Sequence, residues 1–127
     1  MKGNLWIATD AGLDYLDVSK NEITNYGPEY GLPNSFVYGI LEDTKNDLWI
    51  SSNLGLIRYN PEKNTVRYFT IADGLQSNEF NLNAFVKTKK GVMYFGGSNG
   101  FNRFFPDSLV EKKKSSCSRF YRFSDIQ

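Results

Sequence analysis

Histidine is absent from the 127 residues. That removes imidazole as a metal ligand, as a general base and as a pH switch near neutrality. Cys117 is the only cysteine, so neither an internal disulfide nor a cysteine-based metal cluster can form within the chain. No apolar run approaches the roughly 20 residues of a membrane helix. Met1-Lys2-Gly3 leads straight into patterned sequence, which gives no signal peptide to expect. Charge of one sign is also lacking. Lys plus Arg is 15 and Asp plus Glu is 14, a balance that offers nucleic acid or an anionic membrane no general attraction. What is abundant is aromatic: 8 Tyr and 10 Phe, with 11 Gly beside them. Such a composition favours strands and turns.

The chain repeats itself. Gly3 to Leu13 (GNLWIATDAGL), Asn46 to Leu56 (NDLWISSNLGL) and Gly91 to Phe101 (GVMYFGGSNGF) align without gaps, at offsets of 43 and 45 residues. Extending the first offset to Leu32 gives nine identities in 30 pairs, Leu5, Trp6, Ile7, Gly12, Leu13, Lys20, Asn21, Gly31 and Leu32 with their counterparts. Ordinary composition would give roughly two. The recurring positions Leu5, Trp6, Gly12, Leu48, Trp49, Gly55, Tyr94 and Gly100 mark the structural repeat.

Each unit reads as short strands. Leu5 to Thr9, Leu48 to Ser52 and Met93 to Gly96 are compact apolar runs, each followed by a turn with Gly at one fixed place. Glycine there supplies the positive φ of a tight hairpin. Second strands are expected at Leu13 to Asp17, Leu56 to Asn60 and Phe101 to Phe105, and third strands at Ile23 to Tyr26 and Val66 to Thr70. Fourth strands follow at Phe36 to Glu42 and Leu82 to Lys87. No stretch carries a helical apolar stripe. Four strands in about 43 residues is the period of a propeller blade. A sheet that is apolar on both faces must be covered on both, and stacked neighbours do that. The fold class predicted is all-β: a β-propeller fragment of about two and a half four-stranded antiparallel blades. The divisions are a partial blade of three strands at 3–35, a complete blade at 36–73, a partial terminal blade at 74–108 and a non-propeller tail at 109–127. A β-sandwich is the remaining competitor.

Catalytic chemistry finds no footing. Glu42 and Asp43 are adjacent at a strand end and point to opposite faces, unlike a glycosidase pair facing one ring. Solvent exposure or turn bonding is the expected use of both. Asp10, Asp14 and Asp17 lie close in sequence, but Asp10 belongs to a hairpin turn, so no metal site and no cofactor are expected. Trp6 and Trp49 share a repeat position, which favours packing over sugar stacking. Residues that differ between repeats are freer to specialise. The connection into the innermost strand faces one mouth of a propeller channel, and Asn34, Ser35, Tyr38, Asn78, Glu79 and Asn81 are its polar or amphipathic members. Their amide, hydroxyl and carboxylate groups make the directional hydrogen bonds that sugar hydroxyls need.

The segments Asn4-Leu5-Trp6-Ile7 with Gly12-Leu13, Gly31-Leu32-Pro33-Asn34, and Glu42-Asp43 before Leu48-Trp49-Ile50 resemble the two-component regulator propeller repeat of Bacteroidetes-type hybrid sensor histidine kinases. Gly74-Leu75-Gln76-Ser77-Asn78-Glu79-Phe80 with Tyr94-Phe95-Gly96-Gly97 and Phe105-Pro106 looks like the last repeat of such an array. The resemblance covers residues 3 to 108. It implies a non-catalytic part of a periplasmic sensor region, with an oligosaccharide ligand. It implies two partners, the remaining propeller blades and a following immunoglobulin-like domain. Kinase motifs are absent from this chain. Open blade edges would invite self-association. A standalone propeller lectin or interaction module that oligomerises is the alternative. A propeller lyase, similar to the streptogramin lyases, is the enzyme rival, disfavoured because that family relies on a histidine base and this chain has no histidine.

The tail departs from the repeat. Residues 1 to 108 carry 10 basic and 12 acidic groups, whereas 109 to 127 carry five and two. Lys112 to Lys114 is too short a run for a nucleic-acid or lipid site. A Glu-Lys-Lys-Lys stretch invites frame slippage, so the tail reads as out-of-frame translation, which would leave Cys117, Arg119 and Arg122 without an evolved role; a disordered terminus and a genuine basic extension are the alternatives.

Overall fold

The computed structural model describes residues 3–108. The expectations placed on the tail, Cys117, Arg119 and Arg122 included, lie outside the described residues. Among the described residues ten strands form three antiparallel sheets. The first holds β1 (Leu5–Thr9), β2 (Gly12–Asp17) and β3 (Glu22–Tyr26) in that order. The second holds β4 (Val37–Glu42), β5 (Leu48–Ser52), β6 (Gly55–Asn60) and β7 (Thr65–Phe69). The third holds β8 (Phe80–Lys87), β9 (Met93–Gly97) and β10 (Gly100–Phe104), with β9 in the middle. β4 packs beside both β1 and β8, so successive sheets adjoin along it. The sheets are propeller blade fragments, as the repeat predicts.

Turn chemistry sets the registers. Thr9 pairs with Gly12, Ser52 with Gly55 and Gly97 with Gly100, each closing a two-residue loop. The three closing glycines have φ of +114°, +102° and +118°. At Gly55 a methyl group would also overlap the Phe69 carbonyl oxygen. The next turns of the first two repeats carry Asn21 and Asn64 at φ of +56° and +55°. Asparagine tolerates this left-handed region better than most residues.

Two apolar layers separate the sheets. Between the first and second lie Leu13, Leu32, Val37, Leu48, Ile50, Ile57 and Tyr59, flanked by Trp6, Ala8 and Tyr26. Between the second and third lie Trp49, Leu56, Phe69, Leu75, Phe80, Met93, Phe95 and Phe104. Every residue of β5 is buried, because both faces of its sheet are covered. Ser51 Oγ on β5 is buried with no hydrogen-bond partner among the described residues.

The connections differ from expectation in detail. Each adds a short 3-10 turn, at Pro28–Tyr30 and Ile71–Asp73, that the strand pattern did not announce. Thr70, expected in a strand, instead caps the second of these turns. Its side chain accepts from the Ala72 amide, and the Asp73 carboxylate accepts from the Thr70 amide. β8 begins at Phe80, earlier than expected, because Phe80 pairs with Gly97 before the register shifts.

Candidate functional site

Hydrogen bonds join the long connections to the β5–β6 and β9–β10 hairpin turns, and the β1–β2 turn packs against the first connection. Each connection makes a 3-10 turn closed by a left-handed glycine, Gly31 or Gly74, and then inserts a buried leucine, Leu32 or Leu75. The leucine is the plug that fixes the loop. Pro33 and Asn34 then run against Gly12 of the first hairpin turn. In the second connection the Gly55 amide donates to the Asn78 carbonyl at 2.7 Å.

The two innermost strands that leave these connections are irregular at their first residues. In β4 the register shifts between Val37 and Gly39, so Tyr38 is the bulged residue. In β8 it shifts between Phe80 and Phe85, and Asn83 adopts φ of +62°. Bulges re-aim side chains and break pairing where strands meet functional surfaces. No other strand pair shifts register among the described residues.

The six residues expected to contact ligand fall into two groups. Asn34, Ser35 and Tyr38 lie in the first connection and at the start of β4. Asn78, Glu79 and Asn81 lie in the second connection and at the start of β8. The packing of β4 on β8 brings the two strands side by side. Their side chains are not equally available. Asn34, Asn78, Glu79 and Asn81 are exposed. Ser35 Oγ donates to Asn53 Oδ1 at 3.1 Å, and Asn78 Oδ1 accepts from the Ile71 amide at 2.9 Å. Tyr38 is half-buried, stacked on Phe36 with ring centroids 6.0 Å apart and packed on the core.

The structure adds residues that the strand pattern did not single out. Gln76 is the hub of the second connection. Its Oε1 accepts from the Asn99 amide at 2.8 Å and its Nε2 donates to the Glu79 carbonyl at 3.0 Å. Asn102, 2% exposed, accepts from the Gln76 amide at 2.9 Å and donates to the Gly74 carbonyl at 3.4 Å. A signal for it existed: Asn102 stands 45 residues after Ile57, a polar residue where the preceding repeat is apolar.

The aromatics occupy the interiors. Trp49 is fully buried, its indole Nε1 donating to Asp43 Oδ2 at 2.9 Å. Asp43 is itself buried and uses its other oxygen to accept from the Lys45 and Asp47 amides, so it is a turn-bonding residue. Arg58 stacks over Trp49 at 5.0 Å and pairs with Asp47 at 2.9 Å. Tyr59 is fully buried. Desolvation, followed by the neighbouring Tyr26 and Tyr30, pushes its phenol up to about 12. Among the described residues no group of three or more His, Cys, Asp or Glu is placed to hold a metal ion. No helix there is long and apolar enough to cross a membrane.

Comparison with known proteins shows what the chain is similar to. Residues 31–54 match the model of the two component regulator propeller. The matched span covers the end of the first connection from Gly31, β4, β5 and the β5–β6 turn. Histidine kinase P4 of Formosa agariphila is 38% identical over 79 residues, which are 62% of this chain and 6% of that protein. Among solved structures, the extracellular domain of the hybrid two component system BT3049 from B. thetaiotaomicron superposes with a TM-score of 0.75 at 25% identity, covering 99% of this chain and 19% of that one. The extracellular domain of the one component system BT4673 from the same organism shares the fold, with a TM-score of 0.67 at 21% identity over 85% of this chain and 15% of that one. The chain thus has a β-propeller fold, and its residues 31–54 are similar to the two component regulator propeller. It spans a fifth or less of the proteins it matches.

Proposed function

We propose that this chain is part of the extracytoplasmic, periplasmic sensor region of a hybrid two-component system, where it binds an oligosaccharide and passes the signal on without catalysis. Its partners are the remaining propeller blades and an immunoglobulin-like domain of the parent sensor. The observation that carries the reading is the convergence of propeller repeats on one bulged, polar end. There the Gln76, Asn102 and Asn78 bonds hold the loops, leaving the exposed groups of Asn34, Glu79 and Asn81 for a ligand. Preorganised loops reduce the ordering cost of binding, and amides and carboxylates match hydroxyl-rich ligands. An array of neutral and acidic oligosaccharides, followed by calorimetry on the hit, tests it. Asn34→Ala and Glu79→Gln are each expected to weaken binding about fivefold or more, as loss of a ligand hydrogen bond does. Unchanged affinity in both variants overturns the assignment of the site.

A second reading is a standalone lectin or interaction module that assembles from several copies. What favours it is a pair of uncovered apolar faces. On the first sheet Leu5 and Ile23 are 52% and 65% exposed, and on the third Leu82 and Phe101 are 67% and 50% exposed. The corresponding positions of the second sheet, such as Leu48 and Leu56, are buried by the adjacent sheets. Sedimentation separates the readings: a defined ring-sized oligomer supports the lectin, whereas a monomer or polydisperse aggregate supports the sensor portion.

A further inference from the structure

At the end of the sheets away from the polar connections, two clefts lie between neighbouring blades. The first is about 350 Å³ and is lined by Trp6, Tyr15 and Tyr26 on one side and by Glu42, Asn46 and Glu62 on the other. The second is about 140 Å³, between the β4–β5 and β8–β9 turns. Thr44 and Asp43 form one wall, Lys87, Lys89 and Lys90 the other, and Phe105 and Asp107 complete it. The clefts are one repeat apart. Glu42, Asn46, Pro61 and Glu62 of the first stand 45 residues before Lys87, Gly91, Pro106 and Asp107 of the second.

The charge reverses between them. The β4–β5 turn is flanked by Glu42 and contains Asp43 and Asp47, with Lys45 as its one cation. The β8–β9 turn carries Lys87, Lys89 and Lys90 and no carboxylate, and neutral Thr88 replaces Asp43. Thr88 still performs the turn-closing task, its Oγ1 accepting from the Val92 amide at 3.1 Å. The fold therefore did not require the lysines. Of the nearby carboxylates, Asp43 is occupied on both oxygens by the Lys45 and Asp47 amides and the Trp49 indole. Asp107 stands exposed at the cleft margin. Lys87 is anchored, its Nζ donating to the Glu42 carbonyl at 2.7 Å across the blade boundary. Lys89 and Lys90 are exposed and have no ion-pair partner among the described residues.

We propose that this second cleft is a binding site for a small oxyanion, a sulfate, phosphate or carboxylate group, held by Lys87, Lys89 and Lys90 with the Thr44 hydroxyl. Clustered ammonium groups in a concavity attract such an anion more strongly than dispersed ones, because the walls exclude part of the screening solvent. The group arrives either as a free ion or as a substituent on a saccharide. The site is separate from the polar connection end.

The test is a titration of the isotope-labelled full chain with sodium sulfate at constant ionic strength, followed through the backbone amides. Saturable shifts are expected at Thr44, Lys89 and Gly91. In Lys89→Glu/Lys90→Glu the affinity is expected to fall about tenfold or more, whereas Lys20→Glu/Lys63→Glu, which changes net charge equally, keeps it within about twofold. Lys89→Gln/Lys90→Gln serves as the milder pair if the reversal disturbs the fold, and is expected to fall about threefold or more. Galactose 6-sulfate against free sulfate separates the sources: tighter binding of the sugar assigns a saccharide substituent, and equal binding assigns the free ion. Shifts that never saturate, that spread evenly over the molecule, or that weaken equally in the control pair overturn the proposal.

Discussion

The first and second sheets carry the same Leu-Trp-Ile run, at 5–7 and 48–50, and bury it to different depths. Leu48, Trp49 and Ile50 are all buried, whereas Leu5 is exposed and Trp6 and Ile7 are half-buried. The residues are the same, so local propensity cannot be the cause. The second sheet has an apolar neighbour on both faces, and the first has one on a single face. The tryptophan surroundings differ likewise. Trp49 sits among Phe69, Phe104 and Arg58 and bonds Asp43. Trp6 contacts Tyr15 and Tyr26, with Tyr15 standing where the next repeat has Arg58. Even the polar support is transposed: Asp47 pairs with Arg58, and Asn4, at the matching position, donates to Tyr15 Oη at 2.8 Å. In a repeat protein, stability therefore resides in the contacts between units as much as within them.

That contrast can be broken by substitution. The largest effect is expected at Trp49→Ala, about 3–5 kcal/mol lost, against about 1–2 kcal/mol for Trp6→Ala, because only the first opens a cavity walled on every side. Denaturant melts of the two variants measure the gap, and equal losses would show that the neighbouring blades contribute little. Asp43→Ala comes next. It leaves two buried-side amides and an indole without an acceptor and should cost about 2–3 kcal/mol. Asp14→Ala, with a single exposed partner in Asn25, should cost under about 0.5 kcal/mol in the same melts. An effect comparable to the loss at Asp43 is a pH response of the layer between the first two sheets. Tyr59 ionises at about 12 when folded and near 10 when unfolded, so its raised value stabilises the fold fully below pH 10. That contribution, about 3 kcal/mol, is lost as the pH rises from 10 to 12. Tyr59→Phe should flatten the alkaline limb of a stability–pH curve, and an unaltered limb would contradict the assignment.

Much of this fold was legible in the sequence because its signals are local and recur. The Leu-Trp-Ile run and the turn glycine specify strand, hairpin and face without reference to the rest of the chain. The 3-10 turns were not legible, since Pro28 and Asp73 fit loops as well as they fit short helical turns. The strength of Asp43 was also hidden. Its neighbours Lys45 and Asp47 are close in sequence, but the Trp49 indole reaches it only once β5 has turned back. At the polar end the sequence named a connection, not the availability of its groups. Whether Ser35 is free depends on Asn53, 18 residues away, and whether Asn78 is free depends on the cap of a turn. Asn102 and Gln76 were missed for the same reason: they act through partners on other strands.

Amide hydrogen exchange on the whole chain addresses the dependence of each sheet on its neighbours most directly. Amides of β5 and β6 are expected to be protected at least about tenfold more than those of β2, the central strand of a sheet with one covered face. Uniform protection across the three sheets, or slower exchange in β2 than in β5, would contradict stabilisation by stacking.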